Sequence, residues 1–519
     1  MGNVSLYMKK IFSFLWILLI VSPLLSQFQD STFQMSFDVG GAETAIGVSL
    51  LDSSILIVGG GIGYDTTFFD GFWAGVVDTY GAPQGLHVYG DSGKAWTTNR
   101  NPDLIHTHDG LFVYAGGESD GIDRWDPLVL WFDSTGELIR KEIYPDSRGS
   151  AVIHNGLQMP DSSFFFYGNI YSLNNPQDID RYLLKLDKAG NKVWAKTYGG
   201  NWNDWGLGTT LVSRKIGLVL GGYTESYSQY GGRDGWLIYT NFAGQVMREK
   251  FFGTQGDDGS VHIALAPDSL SLYLAQHIDT LLQPGYAPWA YQVMKLDPLG
   301  NPEWRIILQD SLSRYANGIY TLANGDVLVY GVLDIFHTPP SDYGWLARIS
   351  AQGTLLWNRA YQYTDDAYPL KISLSNWILN VLEVDNGNIL FLGSTTLKNE
   401  FGGQNPWIAQ VDSNGCFSTH CDSLPAPWRG PPTALETTPD LGIRLYPNPA
   451  RDRLILQLAA RHLPAELELW DSQGRLVYQQ PLTELQTRVD VSALAGGLYV
   501  GVVKSRGGTI AREKVVLRR

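Results

Sequence analysis

The amino-acid sequence predicts an all-β protein, a seven-bladed β-propeller followed by a small Ig-like β-sandwich. Three observations predict this fold: one strand-and-turn segment recurs seven times, a second strand series recurs in step with it, and the composition changes near the C-terminus. Charged residues make up only 17% of the chain and aromatic residues 12%, with Gly and Pro scattered throughout. This composition excludes long helices and coiled coils, which need Ala-, Glu-, Lys- and Leu-rich segments.

The first repeat series is a strand that ends in a four-residue turn. Its copies read WAGVVDTYG, LVLWFDSTG, YLLKLDKAG, WLIYTNFAG, YQVMKLDPLG, WLARISAQG and WIAQVDSNG. The turn glycines are Gly81, Gly136, Gly190, Gly244, Gly300, Gly353 and Gly415, at spacings of 55, 54, 54, 56, 53 and 62 residues. Glycine adopts a positive φ readily, so the series predicts one tight β-hairpin in every repeat.

The second series reads SSILIVGG, GLFVYAGG, SFFFYGN, GLVLGGY, LSLYLAQ, DVLVYGV and NILFLGS. With its neighbours it gives four antiparallel strands per repeat, which is typical of a propeller blade. A first strand at 34–39 and a last strand at 407–412 lack partners in their own repeats, so we expect them to pair and close the ring. A solenoid of stacked hairpins is the alternative.

One copy of the repeat carries a family resemblance. Residues 184–200 read LKLDKAGNKVWAKTYGG, which resembles kelch-type propellers and, more closely, the repeats of secreted Bacteroidota proteins. The resemblance covers roughly residues 33–415 and implies a fold rather than an activity. Asn241 and Ser350 stand where other copies have aspartate, and Ala275 stands where other copies have glycine.

The N-terminus predicts export. Lys9 and Lys10 precede an apolar stretch at 11–25, and Ser26 offers a small residue for cleavage, so residues 1–26 read as a signal peptide. An uncleaved membrane anchor is the alternative, but the stretch is short for a span, and we expect no transmembrane anchor in the mature chain. Cys416 and Cys421 are disulfide candidates in an exported protein, with free thiols as the alternative.

The longer loops of the predicted propeller hold the candidate ligand-binding residues. These are Trp202, Asp204, Trp205, Tyr223, Tyr227, Tyr230, Asp257, Asp258, Asp365 and Asp366. Aromatic rings beside carboxylates suit a glycan, because a ring covers the apolar face of a sugar and the acids accept its hydroxyl groups; a protein ligand is also compatible. For Trp202 and Trp205, packing is the alternative, and for Trp194, Trp304 and Trp357 packing between blades is the prediction.

No catalytic residue, metal ligand or cofactor is assigned from the sequence. No Gly-x-Ser-x-Gly, His-Glu-x-x-His or phosphate-binding glycine loop occurs. The paired acids Asp257/Asp258 and Asp365/Asp366 are alternatively Ca²⁺ ligands, although a solvated acidic loop is preferred. A net charge of −14 without a basic stripe excludes nucleic acid as the expected partner. We therefore expect a binding or adhesion module, with an extracellular polysaccharide hydrolase or lyase, or a structural surface component, as alternatives.

A Pro-rich linker at 422–441 separates the propeller, residues 27–421, from the C-terminal domain, residues 442–519. There, Leu454, Leu456 and Leu458 alternate, as do Leu467 and Leu469, which predicts strands with one buried face. The motif residues are Tyr446, Pro447, Asn448, Pro449, Asp471, Gly474, Gly497 and Tyr499.

In the order LYPNPA, LWDSQGRLV and DVSALAGGLYV, these segments are similar to the type A sorting domain of the type IX secretion system. The resemblance implies passage through the inner membrane, recognition by the outer-membrane translocon and removal by a sortase-like peptidase. The product is then attached to the outer-membrane surface or released. An ordinary Ig-like accessory module is the alternative.

Overall fold

The computed structural model describes residues 33–36, 41–51, 54–63, 71–78, 83–91, 94–97, 104–120, 124–172, 178–206, 211–230, 232–279, 290–308, 313–334, 342–363, 373–384, 387–397, 404–417, 444–446, 450–458, 463–471, 475–505 and 508–518. The predicted signal peptide, the linker, Gly81, Asp365, Asp366, Cys421, Pro447, Asn448, Pro449 and Gly474 lie outside these residues. The chain forms two compact units, Met1–Leu435 and Glu436–Arg519. All regular elements in the described part of the chain are β-strands or short turns.

The N-terminal unit contains seven antiparallel sheets among its described residues. Strand β1 is Phe33–Ser36, and the first sheet is β2 Gly41–Leu50, β3 Ser54–Gly63, β4 Gly71–Asp78 and β5 Pro83–Tyr89. The second is β6 Ala95–Thr97, β7 Ile105–His106, β8 Phe112–Ser119, β9 Trp125–Phe132 and β10 Leu138–Ile143. The third is β11 Gly149–Gln158, β12 Phe164–Ser172, β13 Ile179–Leu186 and β14 Lys192–Tyr198.

The remaining sheets repeat this plan. The fourth is β15 Leu211–Arg214, β16 Gly217–Leu220, β17 Tyr223–Thr224, β18 Asp234–Thr240 and β19 Val246–Phe252. The fifth is β20 Val261–Leu265, β21 Leu272–Ile278, β22 Ala290–Leu296 and β23 Pro302–Leu308. The sixth is β24 Ser313–Thr321, β25 Val327–Asp334, β26 Asp342–Ile349 and β27 Leu355–Tyr361, and the seventh is β28 Ser373–Glu383, β29 Ile389–Leu397 and β30 Gln404–Val411.

The first strand completes the last sheet. Strand β1 pairs antiparallel with β30, and the register runs from Phe33 opposite Gln410 to Ser36 opposite Trp407. The pairing predicted between the two ends of the repeat region is therefore confirmed. It gives the seventh sheet its fourth strand, so the edge of β30 is covered.

Each sheet contacts the next in chain order, and the seventh contacts the first. A separate cluster of buried apolar side chains lies at every one of these contacts. Ile57 and Trp73, for example, pack on Leu392 and Ile408, which joins the first sheet to the seventh. Asn380 in β28 also donates its amide to the carbonyl oxygen of Ile46 in β2, at 3.0 Å. The hydrophobic core is thus distributed between sheets rather than gathered in one place.

The hairpin turns explain the repeated aspartate and glycine. Gly190 has φ +82°, and the Asp187 carboxylate accepts hydrogen bonds from the backbone of Ala189 and Asn191. In the divergent copies, Asn241 Oδ1 and Ser350 Oγ accept the same two bonds from the residues two and four positions later. The turn therefore survives both substitutions because a side-chain oxygen is what it needs.

Aromatic residues of one sheet bind the turn of the next sheet. Tyr144 and Tyr198 donate their hydroxyl groups to the carbonyls of Gly190 and Gly244, each at 2.8 Å. Trp304 donates its indole N–H to Ala351, and Trp357 donates to Ser413, at 3.0 and 3.3 Å. Trp194 packs so closely on Gly244 that a Cβ there would lie 2.8 Å from the ring. The three tryptophans predicted to pack between blades therefore do connect neighbouring sheets.

A β-bulge explains the glycine of the second repeat series. In the third sheet the register shifts after Ile153, and a Cβ on the opposite residue, Gly168, would lie 2.0 Å from the carbonyl oxygen of Val152. In the fifth sheet the register runs without a shift, and Ala275 is tolerated opposite His262. In these two sheets, glycine is present where the facing strand bulges and is replaced by alanine where the facing strand is regular.

The C-terminal unit consists of two antiparallel sheets around one core. Its strands are β31 Arg444–Tyr446, β32 Arg453–Gln457, β33 Ala465–Trp470, β34 Leu476–Leu482, β35 Gln486–Asp490, β36 Gly497–Ser505 and β37 Gly508–Leu517. The sheets run β31-β32-β35 and β34-β33-β36-β37. The leucines predicted to face inward, Leu454, Leu456, Leu458, Leu467 and Leu469, are all buried in the shared core. The predicted alternation is therefore confirmed.

Candidate functional site

The predicted ligand-binding residues that the structure describes lie on three loops: one between the third and fourth sheets, one within the fourth sheet, and one between the fourth and fifth sheets. Trp202, Asp204 and Trp205 follow β14, Tyr223, Tyr227 and Tyr230 follow β16, and Asp257 and Asp258 follow β19. The three loops are joined by hydrogen bonds between their backbones. Tyr223 N donates to Trp205 O at 2.8 Å, and Asp258 N donates to Arg233 O at 2.9 Å.

Asp204 is fully buried and joins two of these loops. Its carboxylate accepts a hydrogen bond from Gly200 N at 2.7 Å, one from the hydroxyl of Thr224, and one from Ser226 N at 3.4 Å. Because the donors belong to both loops, removing the carboxylate would leave them without partners in the interior. Asp204 therefore organises the site from beneath, and its side chain does not face solvent.

Asp258 occupies the corresponding place one repeat later. It is fully buried and accepts hydrogen bonds from Thr254 N, from Thr254 Oγ1 at 3.1 Å and from Asp279 N at 2.9 Å. Burial raises the pKa of the Asp258 carboxyl to about 6, and the neighbouring Asp234 adds to the rise. Asp234 is also buried, and its Oδ2 accepts bonds from Ser228 Oγ and from the backbone of Tyr230.

Three aromatic rings project from these loops into solvent. Trp202 is 67% exposed, Tyr227 is 43% exposed and Tyr230 is 50% exposed. The hydroxyl of Ser226 accepts a hydrogen bond from Trp202 N at 2.9 Å and donates one to Trp202 O at 3.2 Å. The loop of Trp202 is therefore fixed next to Tyr227. We call these three residues the aromatic rim. Large exposed rings on fixed loops are typical of surfaces that bind a ligand.

The other two aromatic candidates support the loops from within. Tyr223 is buried beneath Arg233, whose guanidinium lies 5.3 Å from the centre of the Tyr223 ring. Trp205 is partly buried and meets Tyr171 edge to face at 6.4 Å. Tyr227 belongs to the rim but is fixed as well, because its hydroxyl donates to Gly199 O at 2.7 Å.

Asp257 is the exposed member of its acidic pair. Its side chain is 57% exposed and lies 4.0 Å from the guanidinium of Arg233, and it accepts a hydrogen bond from Arg233 N at 3.1 Å. Asp257 and Asp258 are thus neighbours in sequence with opposite environments. Within the described residues, no group of three or more His, Cys, Asp or Glu side chains is arranged to hold a metal ion.

Sequence reasoning missed Asp180, at the start of β13. An ideal Cβ on Gly199 would lie 1.7 Å from Asp180 Oδ1 and 3.0 Å from Asp204 Oδ2, so both carboxylates face the same glycine. Burial raises the pKa of the Asp180 carboxyl to about 6, and the charges of Asp178 and Asp204 raise it further. The available signal was the repeated spacing, because Asp180 and Asp234 begin equivalent strands 54 residues apart.

Arg181 was also missed, because a charged side chain inside a strand reads as a surface residue. It is fully buried, donates to the carbonyls of Trp236 and Tyr223 at 3.1 and 3.0 Å, and lies 4.3 Å from the Trp236 ring centre. Burial lowers the pKa of its guanidinium. Its carbonyl partners connect β13 to the loop of Tyr223, so Arg181 fixes that loop from the side of the third sheet.

In the C-terminal unit, the motif residues that the structure describes occupy turns and strand ends. Asp471 Oδ1 accepts a hydrogen bond from Arg475 N at 2.9 Å, and Tyr499 is buried and donates to Ala495 O at 2.7 Å. Gly497 is the first residue of β36 and Tyr446 is the last residue of β31.

Two further observations concern export. Cys416 is disulfide-bonded, as expected of a protein outside the cytoplasm, while its predicted partner Cys421 lies outside the described residues. In the described part of the chain, no helix is long and apolar enough to cross a membrane.

Several solved structures are similar in fold. A polysaccharide lyase, Uly1, has 9% sequence identity, covers 74% of this chain and 93% of its own, and has a TM-score of 0.43. A sialidase of Trypanosoma rangeli has 8% identity, with coverage of 94% and 87% and a TM-score of 0.41. An α-L-arabinofuranosidase of Fusarium graminearum, solved with arabinobiose, has 12% identity, with coverage of 60% and 92% and a TM-score of 0.39. Similarity at this level assigns no function to the chain.

No curated protein sequence matches the chain. Residues 444–518 match the family described as the secretion system C-terminal sorting domain. This match agrees with the type IX motifs at Tyr446, Asp471 and Tyr499. The chain thus ends in a sorting domain that interacts with the type IX secretion system, and the protein is exported across the outer membrane to the cell surface or the extracellular space.

Proposed function

We propose that the N-terminal unit is a seven-bladed β-propeller that binds an extracellular glycan through the aromatic rim. The observation that carries the proposal is the arrangement of Trp202, Tyr227 and Tyr230, which are exposed rings on loops fixed by the buried Asp204 and Asp234. Pre-fixed rings lose little conformational entropy on binding, so they are suited to cover the apolar face of a sugar.

The cyclic order of sheet contacts supports seven blades. Each sheet supplies one blade, and β1 with β30 joins the two ends of the chain in the last blade. A solenoid would leave its first and last sheets apart, whereas here Asn380 of the seventh sheet bonds Ile46 of the first. We also propose that the C-terminal unit is an Ig-like sandwich, because its two sheets enclose one core.

Export is proposed to begin with cleavage of the signal peptide at residues 1–26 and to end with removal of the sorting domain by a sortase-like peptidase. Deleting residues 442–519 tests this route. We expect the truncated chain to accumulate in the periplasm, whereas the full chain reaches the surface or the medium. Equal amounts of both chains outside the cell would contradict it.

A glycan array and calorimetry test the binding proposal. We expect Trp202→Ala to weaken binding of any oligosaccharide hit by about tenfold or more, because truncating an aromatic anchor of a binding surface commonly costs about 2 kcal/mol. Met247→Ala is the matched control, since Met247 is 69% exposed on β19 and lies away from the three loops. Equal affinities of wild type and Trp202→Ala would remove the rim from the proposal.

A polysaccharide hydrolase or lyase is the second candidate, and Asp180 is the observation that favours it. A glycosidase needs a carboxyl that keeps its proton near neutral pH, and burial raises the pKa of Asp180 to about 6 next to the carboxylate of Asp204. Product release from an array hit, abolished by Asp180→Asn with binding retained, would establish the enzyme. Binding without product would support the binding module.

A further inference from the structure

We propose that an exposed apolar patch on the C-terminal unit, formed by Trp470, Leu476, Leu498 and Val500, is the surface that the outer-membrane translocon of the type IX secretion system recognises. We call these four residues the apolar face. The inference deepens the export route proposed above and rests on it. The register of three strands, the exposure of the side chains and the charge of the unit support it.

The four residues are neighbours on the outer side of the sheet β34-β33-β36-β37. Trp470 in β33 stands opposite Leu476 in β34 and opposite Val500 in β36. Side chains directly opposite one another on antiparallel strands lie side by side. Leu498 precedes Val500 by two residues on β36, so both point to the same side, whereas Tyr499 between them belongs to the core. The register therefore gathers four apolar side chains into one patch.

The side chains of the apolar face reach solvent. Leu498 is 48% exposed, Leu476 and Val500 are each 42% exposed, and Trp470 is partly buried. The core of the unit is built by residues on the opposite side of the same strands, such as Leu469. The solvated side of an antiparallel sheet is normally polar. Apolar side chains gathered on that side are typical of a surface that binds another molecule.

Farther along the same side, the sheet is polar and its groups bond one another. Glu468 accepts a hydrogen bond from the indole N–H of Trp470 at 3.0 Å and forms an ion pair with Lys504 at 2.7 Å. Gln479 donates to the Glu466 carboxylate at 2.9 Å. The apolar face thus occupies one end of the sheet, next to a region whose polar groups are already paired.

The charge of the unit indicates which partner surface fits the apolar face. Residues 442–519 contain 12 Lys and Arg against 7 Asp and Glu, a net charge of +5, whereas the whole chain carries −14. At the border of the face, the Arg475 side chain is 70% exposed, and Arg518 is exposed just after β37. Asp471, also at this border, is bound to Arg475 at 2.8 Å. A surface with an apolar centre and an acidic border would be complementary.

The expected occupant is a protein of the secretion system rather than a membrane or a second copy of the chain. Residues 444–518 match a secretion system sorting domain, so the unit that carries the apolar face is the unit that this system recognises. The translocon is the component that must bind the unit before the chain leaves the periplasm. The proposal therefore assigns the apolar face to that step.

Export of the full chain from a bacterium with a type IX secretion system tests the proposal. Leu498→Thr combined with Val500→Thr removes apolar contact and keeps β-branched residues that suit a strand. We expect at least about fivefold less protein outside the cell, with the chain retained in the periplasm, measured by fractionation and immunoblotting. Leu485→Thr is the matched control, because Leu485 is 55% exposed but lies just before β35 of the other sheet. We expect its export to equal that of wild type.

A photo-cross-link tests the contact even if the double variant does not fold. The unfolding midpoint of the purified full chain shows whether it folds. In living cells, Val500→benzoylphenylalanine should cross-link to an outer-membrane component of the type IX system, identified by mass spectrometry. The same substitution at Leu485 should not. Absence of that component from the products at position 500 would overturn the proposal.

The remaining outcomes separate the inference from the export route. If deletion of residues 442–519 blocks export but the double variant is exported like wild type, the apolar face is not the recognition surface and the route stands. If the deleted chain is exported as well as the full chain, both fail. A double variant that reaches the surface with its sorting domain uncleaved would assign the face to the peptidase and overturn the inference. Normal export combined with lost binding to anionic lipid vesicles, or with lost self-association, would assign the face to a membrane or to a second copy and overturn it too.

Discussion

Two loop junctions of the N-terminal unit follow one plan and differ in what they present to solvent. In the junction after the third sheet, Gly200 N bonds the buried Asp204, and in the junction after the fourth sheet, Thr254 N bonds the buried Asp258. The equivalent positions are 54 residues apart. The buried carboxylate is the shared part, so it belongs to the scaffold.

Two equivalent positions of the junctions differ for a steric reason. Trp202 and Trp205 of the first junction correspond to Gly256 and Gly259 of the second. A Cβ on Gly256 would lie 2.4 Å from Asp279, and a Cβ on Gly259 would lie 1.7 Å from the ring of His277. The second junction therefore has no space for side chains at these positions, and the aromatic rim belongs to the first junction and the loop beside it.

The largest expected effect comes from removing the shared carboxylate. Asp204→Ala and Asp258→Ala should each lower the free energy of unfolding by about 2–4 kcal/mol, because each leaves several buried donors without an acceptor. Only Asp204→Ala should also weaken glycan binding, since Asp204 fixes the loop of Trp202. Chemical denaturation and calorimetry measure the two effects. Loss of binding in Asp258→Ala alone would reverse the comparison.

The next effect tests the space at the second junction. Gly256→Ala should destabilise the unit by about 1–3 kcal/mol, because the new Cβ overlaps the Asp279 side chain. Gly85→Ala is the matched control, since a Cβ on Gly85 would meet no atom within 4 Å. We expect its unfolding midpoint to stay within the error of wild type. Equal stability of Gly256→Ala would show that Asp279 moves aside at little cost.

A pH dependence separates the buried acid from exposed ones. The pKa of Asp258 is raised to about 6 in the folded state, so the fold holds this proton more tightly than the unfolded chain does. The stability from this group is present at low pH and is lost as pH rises from about 4 to about 6. Across this window, the free energy of unfolding of wild type should fall by roughly 1–3 kcal/mol relative to that of Asp258→Asn.

Asp297→Asn is the control for that measurement. Burial acts to raise the pKa of Asp297, but backbone and side-chain hydrogen bonds from Asn301 together outweigh it, so this pKa is lowered. The stability from Asp297 is therefore present at neutral pH and is lost as pH falls. The free energy of unfolding of wild type should therefore increase relative to that of Asp297→Asn as pH rises. Parallel pH curves for wild type and Asp258→Asn would show that the pKa of Asp258 is the same in the folded and the unfolded chain.

The smallest difference between the junctions is one hydroxyl group. Tyr198 ends β14 and donates to Gly244 O, whereas Phe252 ends β19. Tyr198→Phe should cost about 1 kcal/mol, the usual value of one buried hydrogen bond. Phe252→Tyr should not raise the free energy of unfolding, because Tyr239 Oη already occupies the space beside Gly300. A measured gain in the second variant would mean that this space is open.

Sequence spacing predicted the repeat well because the same local contacts recur in most of the described copies. The glycine of each tight turn, the tyrosine that binds the next turn and the leucines of the C-terminal core follow short-range rules. The sequence could not show that Asp257 is exposed and Asp258 buried, since both are adjacent acids in one loop. The repeated spacing of Asp180 and Asp234 was the one signal for Asp180, since its position against Gly199 and Asp204 depends on contacts between separate segments of the chain.

The sequence by itself determined the antiparallel repeat and the sorting domain, because turn geometry, strand periodicity and a contiguous motif are local properties. It also indicated the pairing of the two ends, because each end carries a strand without a partner in its own repeat. Only the tertiary structure decided which acids are buried, which rings are exposed and where glycine is obligatory. Those properties depend on atoms brought from distant repeats, such as His277 against Gly259 or Thr224 against Asp204.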